Sequence, residues 1–412
     1  MKKSFSNVEE VFNKFPELYG GDSEYQRNRY RNLFDKFCSY YNVNDCFIAS
    51  SSGRVEILGN HTDHNGGRVI SSTISLDTLA FFLPTNDNKI TLYSEGYGEI
   101  LVDLSDLSKQ KESTSKGLVA GVADYFIKNG KKIGGFKAYC SSNVLGGGGI
   151  SSSASFEVLI AEILNFLYNE NTISCEEKAL ASWYAENVYF NKPCGKLDQT
   201  AISFGGINLL DFSDENKINV FPINNTLKDY DLVLINTGGS HENLTDEYAS
   251  IPREMKRVAN LFGKDRLIEI NKKDFFSNLD KVYNKCSDRE ISRAIHFYQE
   301  NDRVDLAYNS LINEDYQTFL RCVNDSGVSS NTKLQNCMVI GSSDQPIIKT
   351  LSILSCIKSC SAFRIHGGGF AGCVLAIVKK SNFDDFNAIV SRIFNSESVI
   401  KLNVRSVGAI TL

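Results

Sequence analysis

The sequence predicts an α+β protein with two domains, each built from a mixed or antiparallel sheet and helices. Apolar, β-branched runs bounded by Gly, Asn and Asp indicate strands at residues 45–58 and 68–85. A strongly periodic apolar pattern indicates a helix at residues 156–170. The length of 412 residues is sufficient for two medium-sized domains.

The elements before residue 156 continue this mixture of strands and helices. A polar helical pattern covers residues 5–45, and a strand pattern follows at 89–95. Residues 117–130 form an amphipathic pattern that stops at a glycine, which is typical of a helix. Residues 135–144 then read as a strand. Strands and helices therefore share the first domain.

A second helix is predicted at residues 174–190. Ser174 stands at its N-cap position, and Glu177 stands three residues later. This spacing is the capping box, in which each side chain accepts a hydrogen bond from the other residue's backbone N–H. The helix is therefore expected to begin at this point of the chain.

The polar stretch 213–229 is interpreted as the domain boundary. The predicted domains are therefore residues 1–212 and 213–412. Beyond the boundary, the patterns predict a strand at 231–239, mostly helices over 252–358, and a strand–glycine turn–strand unit at 363–380.

The composition is that of an ordinary globular protein, with 42% hydrophobic and 23% charged residues. The formal net charge of −5 and the lack of long charge runs argue against wholesale binding to nucleic acid or anionic membranes. The N-terminal residues lack the apolar core of a signal peptide, and we find no stretch long enough for a transmembrane helix. Eleven cysteines without CxxC pairs are typical of reduced thiols, so a cytoplasmic location is expected.

The stretch GRVEILGNHTDHNGG at residues 53–67 is unusually polar for a segment that follows a strand pattern. It contains one arginine, two histidines and an aspartate among asparagines and glycines. A pocket for a polyhydroxylated ligand needs such a density of hydrogen-bonding groups, but a polar surface loop is also compatible with it. The stretch alone leaves both interpretations open.

The stretch GGGGISSSAS at residues 146–155 lies between a strand pattern and a helix pattern. Its glycines allow the backbone to approach a ligand closely, and a helix N-terminus attracts anions. The stretch is not a Walker A loop, because no Gly-Lys-Ser/Thr follows it. It predicts a phosphate-binding loop, and the alternative is a serine-capped turn between strand and helix.

The stretch KPCGKLDQ at residues 192–199 follows the second predicted helix. Its proline and glycine favour an irregular backbone that presents Asp198. A carboxylate held in this way suits proton abstraction or charge pairing. A helix-ending turn with a surface aspartate is the alternative.

Taken in order, these stretches resemble the galactokinase branch of the GHMP small-molecule kinases. The motifs that carry the resemblance are GRVEILGNHTDHNGG, GGGGISSSAS, PCGKLDQ, HENLTDEY at residues 241–248 and RIHGGGFAGC at residues 364–373. Each motif alone is weak, but five in the right order make a chance match very improbable. The resemblance covers residues 45–412.

The resemblance implies a two-domain GHMP-kinase fold with the active site in the cleft between the domains. It implies ATP-dependent phosphorylation of galactose, or a close galactose-configured sugar, at the anomeric hydroxyl, giving galactose 1-phosphate and ADP. The implied ligands are the sugar, ATP and Mg²⁺, and a monomer or weak homo-oligomer is expected. Two alternatives are a kinase for another sugar, such as an N-acetylated galactose analogue, and a non-catalytic sugar and ATP sensor.

The resemblance also assigns roles to particular residues. Asp198 would accept or orient the proton of the attacking hydroxyl, and Arg54 would offset charge on the transferring phosphoryl group. The implied sugar ligands are Asn60, His61, Asp63, Gly195 and Tyr248. The implied ATP-binding residues are Gly146, Gly147, Gly148, Gly149, Ser151, Ser152 and Ser153. The implied metal ligands are Ser153 and Glu186.

The sequence departs from the family pattern at a few positions. Asn60 stands where galactokinases usually carry a glutamate that binds the sugar, and His64 replaces a tyrosine. His366 replaces a small hydroxyl residue, and Ala371 replaces a glycine in the same motif. Because an amide can both donate and accept, Asn60 is expected to change the choice of sugar hydroxyl.

Overall fold

The computed structural model describes residues 4–110, 114–144, 146, 149–192, 194–224, 227–239 and 244–412. The strands are β1 (Phe47–Leu58), β2 (Arg68–Pro84), β3 (Lys89–Ser94), β4 (Gly98–Asp103), β5 (Phe136–Ser142), β6 (Ile207–Asp211), β7 (Asn219–Pro222), β8 (Tyr230–Asn236), β9 (Cys360–Ile365), β10 (Cys373–Lys379), β11 (Val399–Leu402) and β12 (Ile410–Thr411). They form two sheets, and the predicted mixed α and β architecture is confirmed.

Helices cover both sheets. They are α1 (Phe15–Tyr19), α2 (Glu24–Tyr41), α3 (Ser115–Lys128), α4 (Ser152–Tyr168), α5 (Cys175–Tyr184), α6 (Leu197–Phe204), α7 (Thr245–Asn260), α8 (Lys272–Ser277), α9 (Leu279–Tyr283), α10 (Asp288–Ile312), α11 (Tyr316–Ser329), α12 (Pro346–Leu354) and α13 (Phe383–Phe394). None of the helices within the described ranges combines the length and the apolar character needed to cross a membrane.

The first sheet has the strand order β12-β1-β2-β5-β3-β4, and β6 extends it from β2 with β7 beyond. The strands β1 and β2 are buried on both faces. Phe47 and Phe82 lie in the core beneath α3 and α4, whereas Ile48 and Phe81 lie in the core beneath α1 and α2. Successive side chains of a strand point to opposite faces, and this explains why both strands read as nearly continuous apolar runs.

The second sheet is antiparallel, with the order β11-β8-β10-β9. One face, which includes Leu232 and Leu375, shares a hydrophobic core with Val55 and Ile70 of the first sheet. The opposite face packs against α12 and α13. The shared core joins the two sheets, and Arg364 of β9 donates to Glu56 of β1.

The helix that was predicted at residues 174–190 begins where the capping box indicates. Ser174 accepts a hydrogen bond from the backbone N–H of Glu177, and Glu177 accepts one from the N–H of Ser174. The helix does not continue regularly to its end, because residues Ala185–Tyr189 form a π-helical turn after α5. Such turns often occur at functional sites.

Two strands that follow residue 212 in the sequence belong to the first sheet. β7 lies within the polar stretch 213–229 but pairs with β6 of the first sheet, and β12 at the C-terminus pairs with β1. The division into residues 1–212 and 213–412 stays a prediction. β4 was not predicted, because GEILVD is short and charged at both ends.

Candidate active site

Arg54 and Asp198 form the centre of the polar cluster between the sheets. Nε and Nη2 of Arg54 on β1 donate to Oδ1 of Asp198 on α6, at 2.8 and 2.6 Å. Nη1 of Arg54 donates to the carbonyl of Gly149. The Arg54 side chain is 7% exposed and that of Asp198 is 33% exposed. The arginine is therefore fixed in the interior, whereas the carboxylate remains accessible to a ligand.

The glycine- and serine-rich loop lies directly against this pair. Ser151 has a left-handed backbone with φ 65°, and α4 begins at Ser152. The Ser151 hydroxyl donates to Oδ2 of Asp198, and the backbone N–H of Arg54 donates to the carbonyl of Ile150. The N-terminus of the 17-residue α4 therefore begins beside Asp198. This arrangement suits an anion such as a phosphate.

The predicted ATP-binding residues are described in part. Gly146, Gly149 and the three serines lie in the described ranges, whereas Gly147 and Gly148 lie outside them. Ser151 contacts Asp198 and Gly149 contacts Arg54, whereas the ATP-binding role of these residues stays a prediction.

Oxygen atoms suited to a hard cation meet at the first turn of α4. The Ser153 hydroxyl lies 3.3 Å from Oε1 of Glu186, which the π-helical turn carries towards it. The Lys192 ammonium lies 2.5 Å from the same Oε1. No cluster of three or more His, Cys, Asp and Glu side chains occurs in the part of the chain that the structure describes. Mg²⁺ needs only one or two protein oxygens when phosphates supply the rest, so Ser153 and Glu186 fit this ion.

Gln199 holds Glu186 from the other side. Its Nε2 donates to Oε2 of Glu186 and to Oε2 of Glu157, at 3.1 Å in both cases. Burial and the nearby charge of Glu186 raise the pKa of Glu157 well above its usual range. Sequence reasoning missed Lys192, Gln199 and Glu157, although the first two are the end residues of the stretch KPCGKLDQ that contains Asp198.

His61 and Tyr248 are fixed by the glycine loop that follows β9. Nε2 of His61 donates to the carbonyl of Gly368 at 2.8 Å, and the Tyr248 hydroxyl donates to that of Gly369 at 2.7 Å. Burial and the neighbouring His64 lower the pKa of His61 to about 3. The imidazole is therefore neutral. Its Nδ1 is a buried acceptor without a partner among the described residues.

Asp63 lies against the backbone of Gly195. A Cβ atom built on Gly195 would be 1.7 Å from Oδ2 of Asp63. Only glycine allows this approach, because a Cβ atom does not come within 3 Å of a heavy atom to which it is not bonded. The structure thereby brings together two of the predicted sugar ligands that lie in different motifs.

Asn60 is fully buried, and all its hydrogen-bonding capacity is used within the protein. Its Nδ2 donates to Oε1 of Glu56 at 2.9 Å and to the carbonyl of Gly367 at 2.8 Å. Its Oδ1 accepts from Ser330 at 3.1 Å and from Asn336 at 2.8 Å. An amide offers two donors and two acceptor lone pairs. A direct contact of Asn60 with a sugar would require one of these four bonds to break, and it stays a prediction.

Glu56 is a further residue that sequence reasoning missed. Its carboxylate accepts from Arg364 at 3.1 Å as well as from Asn60. Burial raises the pKa of Glu56, although Arg364 and Arg54 act in the opposite direction. The alternating position of Glu56 on a strand gave no sign that it faces polar partners.

This fold and this cluster define the class of the protein. The family model of the GHMP kinase N-terminal domain matches residues 117–206, which include the phosphate-binding loop and Asp198. The structure resembles that of a mevalonate kinase with a TM-score of 0.61 at 16% identity, covering 87% of this chain and 98% of the other, so the two share a fold. The molecule has the GHMP-kinase fold, as the sequence predicts.

The relatives narrow the class to one family. The model of the galactokinase galactose-binding signature matches residues 35–84. The chain is 30% identical to the galactokinase of Clostridium acetobutylicum, over 87% of this chain and 90% of that protein, and 29% identical to that of Clostridium tetani, over 94% and 93%. The structure matches that of Lactococcus lactis galactokinase complexed with galactose, with a TM-score of 0.81, 26% identity and coverage of 93% and 99%. The chain belongs to the galactokinase family.

The close approach of Asp63 to Gly195 leads to a first prediction. Gly195→Ala should lower the free energy of unfolding by about 1–3 kcal/mol, because an inserted methyl group must displace Asp63 or the backbone. Urea unfolding measures this change. Gly21→Ala is the matched control, since a Cβ on Gly21 has no heavy atom within 4 Å. Equal stability of the two variants would contradict the proposed close packing.

The contact between Asn60 and Glu56 leads to a second prediction. Asn60→Glu places a second carboxylate beside Glu56 in the interior, and it should cost about 3 kcal/mol or more in unfolding free energy. Asn60→Gln has the same length without the charge, and it should cost less. The reciprocal double variant Glu56→Asn with Asn60→Glu should regain at least about 1 kcal/mol over Asn60→Glu. Additive effects in the double variant would show that the two side chains do not interact.

Proposed function

We propose that this chain transfers the γ-phosphoryl group of ATP to the anomeric hydroxyl of galactose, with galactose 1-phosphate and ADP as products. The observation that carries this proposal is the contact of Asp198 with both Arg54 and Ser151 at the N-terminus of α4. A carboxylate that can accept from a hydroxyl and a helix N-terminus that favours anions therefore lie side by side, which supports the proposal. The membership of the galactokinase family supports galactose as the acceptor.

Asp198 receives the hydroxyl proton or orients the hydroxyl for attack. Both lone pairs of Oδ1 are used by Arg54, whereas Oδ2 accepts from Ser151 alone among the described residues. A carboxylate oxygen has two lone pairs, so Oδ2 is the atom that accepts from the sugar. Arg54 fixes the orientation of the carboxylate and offsets negative charge as the phosphoryl group moves.

The sugar is held by the remaining predicted ligands. His61 offers its Nδ1 lone pair, Asp63 lies two residues further along the chain, and Tyr248 on α7 donates to the carbonyl of Gly369. Gly195 allows Asp63 to approach. Asn60 donates to the carbonyl of Gly367 and so fixes the glycine loop that holds His61 and Tyr248. A direct contact of Asn60 with the sugar stays a prediction.

The nucleotide phosphates are held by the loop that contains Gly146, Gly147, Gly148, Gly149, Ser151, Ser152 and Ser153. Ser153 and Glu186 would hold Mg²⁺, which neutralises phosphate charge when it is bound. The ammonium group of Lys192 on Glu186 shows that this carboxylate already attracts a cation. Ser151 and Ser153 lie at the N-terminal end of α4, and Ser153 contacts Glu186 there.

A different sugar is the second candidate. Asn60 provides no carboxylate at a position where the family uses one, and His64 stacks on His61 with ring centroids 5.6 Å apart. Both features favour a changed or wider choice of galactose-configured sugars, including N-acetylated analogues. A non-catalytic sensor is less well supported, because Arg54, Asp198 and Ser153 are all present. The oligomeric state and the cytoplasmic location stay predictions.

The role of Asp198 leads to a third prediction. Asp198→Asn should lower kcat for galactose by about 10²–10⁴, because the carboxylate that receives the proton is lost, while ATP affinity stays within a few-fold. ADP release is measured with galactose, N-acetylgalactosamine and their modified analogues, and the position of the new phosphate is determined. Asp265→Asn is the matched control, because it makes the same chemical change at an exposed side chain.

Two outcomes would contradict the proposal in different ways. Near-normal turnover of Asp198→Asn would remove this residue from the chemistry. If the unmodified chain phosphorylates no galactose-configured sugar, the acceptor is wrong and only the kinase class survives.

The contact between Ser153 and Glu186 leads to a fourth prediction. Glu186→Gln should raise the Mg²⁺ concentration for half-maximal activity by about tenfold or more, because one of few protein oxygens on the ion loses its charge. Titration of activity with Mg²⁺ at saturating ATP measures the change. Glu170→Gln, an exposed position after α4, serves as the control. An unchanged Mg²⁺ requirement would leave Glu186 with a structural role only.

A further inference from the structure

His366 lies at the start of the glycine loop after β9 and is 1% exposed. The backbone fixes it on both sides. Its own N–H donates to the carbonyl of Cys373 at 3.1 Å, and the N–H of Glu56 donates to its Nε2 at 3.1 Å. These two hydrogen bonds hold the imidazole in one position between the two sheets.

The contact with Glu56 also determines where the imidazole proton lies. Nε2 accepts a hydrogen bond, so it carries no proton, and a neutral ring must carry its proton on Nδ1. Burial and the nearby charges of Arg54 and Arg364 lower the pKa of His366 well below its usual range. The ring is therefore neutral at ordinary pH, with Nδ1 as a donor.

This donor has no partner within the described residues, although it is buried. A buried donor without a hydrogen bond is destabilising, and such groups need an explanation. Nδ1 lies beside the phosphate-binding loop, since a Cβ atom built on Gly149 would be 3.4 Å from it. The carbonyl of the same Gly149 accepts from Arg54. The Nδ1 donor of His366 thus lies next to Gly149, which also holds Arg54.

We propose that the Nδ1–H group of His366 donates a hydrogen bond to the γ-phosphoryl group of ATP during its transfer, which makes His366 a further catalytic residue. The inference rests on the proposed kinase function. In this reaction the bond from γ-phosphorus to the bridging oxygen of ADP breaks, and a bond to the anomeric oxygen forms. The hydroxyl proton goes to Asp198, and His366 keeps its own proton throughout. A fixed neutral donor costs no reorganisation during the reaction.

Two substitutions separate this role from a purely structural one. His366→Gln keeps an acceptor for the N–H of Glu56, because a glutamine amide reaches the position of Nε2, but it loses the donor at Nδ1. His366→Asn keeps a donor near Nδ1 and loses the contact with Glu56. We expect kcat to fall by about 10² or more in His366→Gln with little change in melting temperature. His366→Asn should be less stable and yet retain more of kcat.

The opposite ranking, with an active His366→Gln and an inactive His366→Asn, would overturn the proposal. The KM values for sugar and ATP should change only a few-fold in His366→Gln, because the hydrogen bond strengthens in the transition state. A large rise in KM without a loss of kcat would likewise contradict a role in phosphoryl transfer.

A spectroscopic measurement tests the contact without turnover. NMR of the chain labelled at its five histidines reports the Nδ1 proton of His366, which the spectrum of His366→Gln identifies. This signal should shift when Mg²⁺ and an ATP analogue with an imido bridge between its β and γ phosphorus atoms are added, and ADP should not reproduce the shift. Equal responses to both nucleotides, or no response to either, would overturn the proposal.

The two kinds of failure are distinguishable. If no sugar is phosphorylated, the proposed function fails. The nucleotide-dependent signal of His366 then still decides whether Nδ1 contacts the γ-phosphoryl group.

Discussion

The glycine loop at residues 367–369 is the constraint on which the rest of the site depends. Its three consecutive carbonyl oxygens accept hydrogen bonds from Asn60, His61 and Tyr248, which come from the first sheet's loop and from α7. A side chain at the middle position would collide with the Tyr248 ring, since a built Cβ lies 2.4 Å from it. Three consecutive backbone carbonyls therefore hold the side chains of three proposed sugar ligands. The glycines themselves contribute only the absence of a side chain, which leaves space for the Tyr248 ring.

The phosphoryl side depends on a different kind of contact. Arg54 uses its planar group to join Asp198 of α6 with Gly149 of the phosphate-binding loop, and Ser151 closes the set. A guanidinium group with several donors in one plane can make these contacts together, whereas a lysine cannot. The arginine thus orders the carboxylate before any substrate binds. Groups that are ordered beforehand in this way need no reorganisation at the moment of reaction.

Local patterns predicted much of the fold, and motif order predicted the family. The capping box of Ser174 and the alternating or continuous apolar strands depend on neighbours in the sequence, so they are visible there. The partners of Asn60 are not, because Ser330 and Asn336 lie far along the chain. A motif indicates that position 60 belongs to the site, but only packing decides whether its amide faces the ligand or the interior. The pairing of β12 with β1 is hidden for the same reason.

Glu56 connects the two sides of the site. Its carboxylate accepts from Asn60 next to the residues that are proposed to bind the sugar, and its backbone N–H donates to His366 next to Gly149 of the proposed phosphate-binding loop. A shift of Glu56 by a few tenths of an ångström would therefore disturb both at once, because close-packed interiors transmit strain. The departures from the family pattern at Asn60 and His366 are thus not independent of each other. A change in how residue 60 is held, here through an amide and a buried carboxylate, therefore also bears on the position of the His366 imidazole.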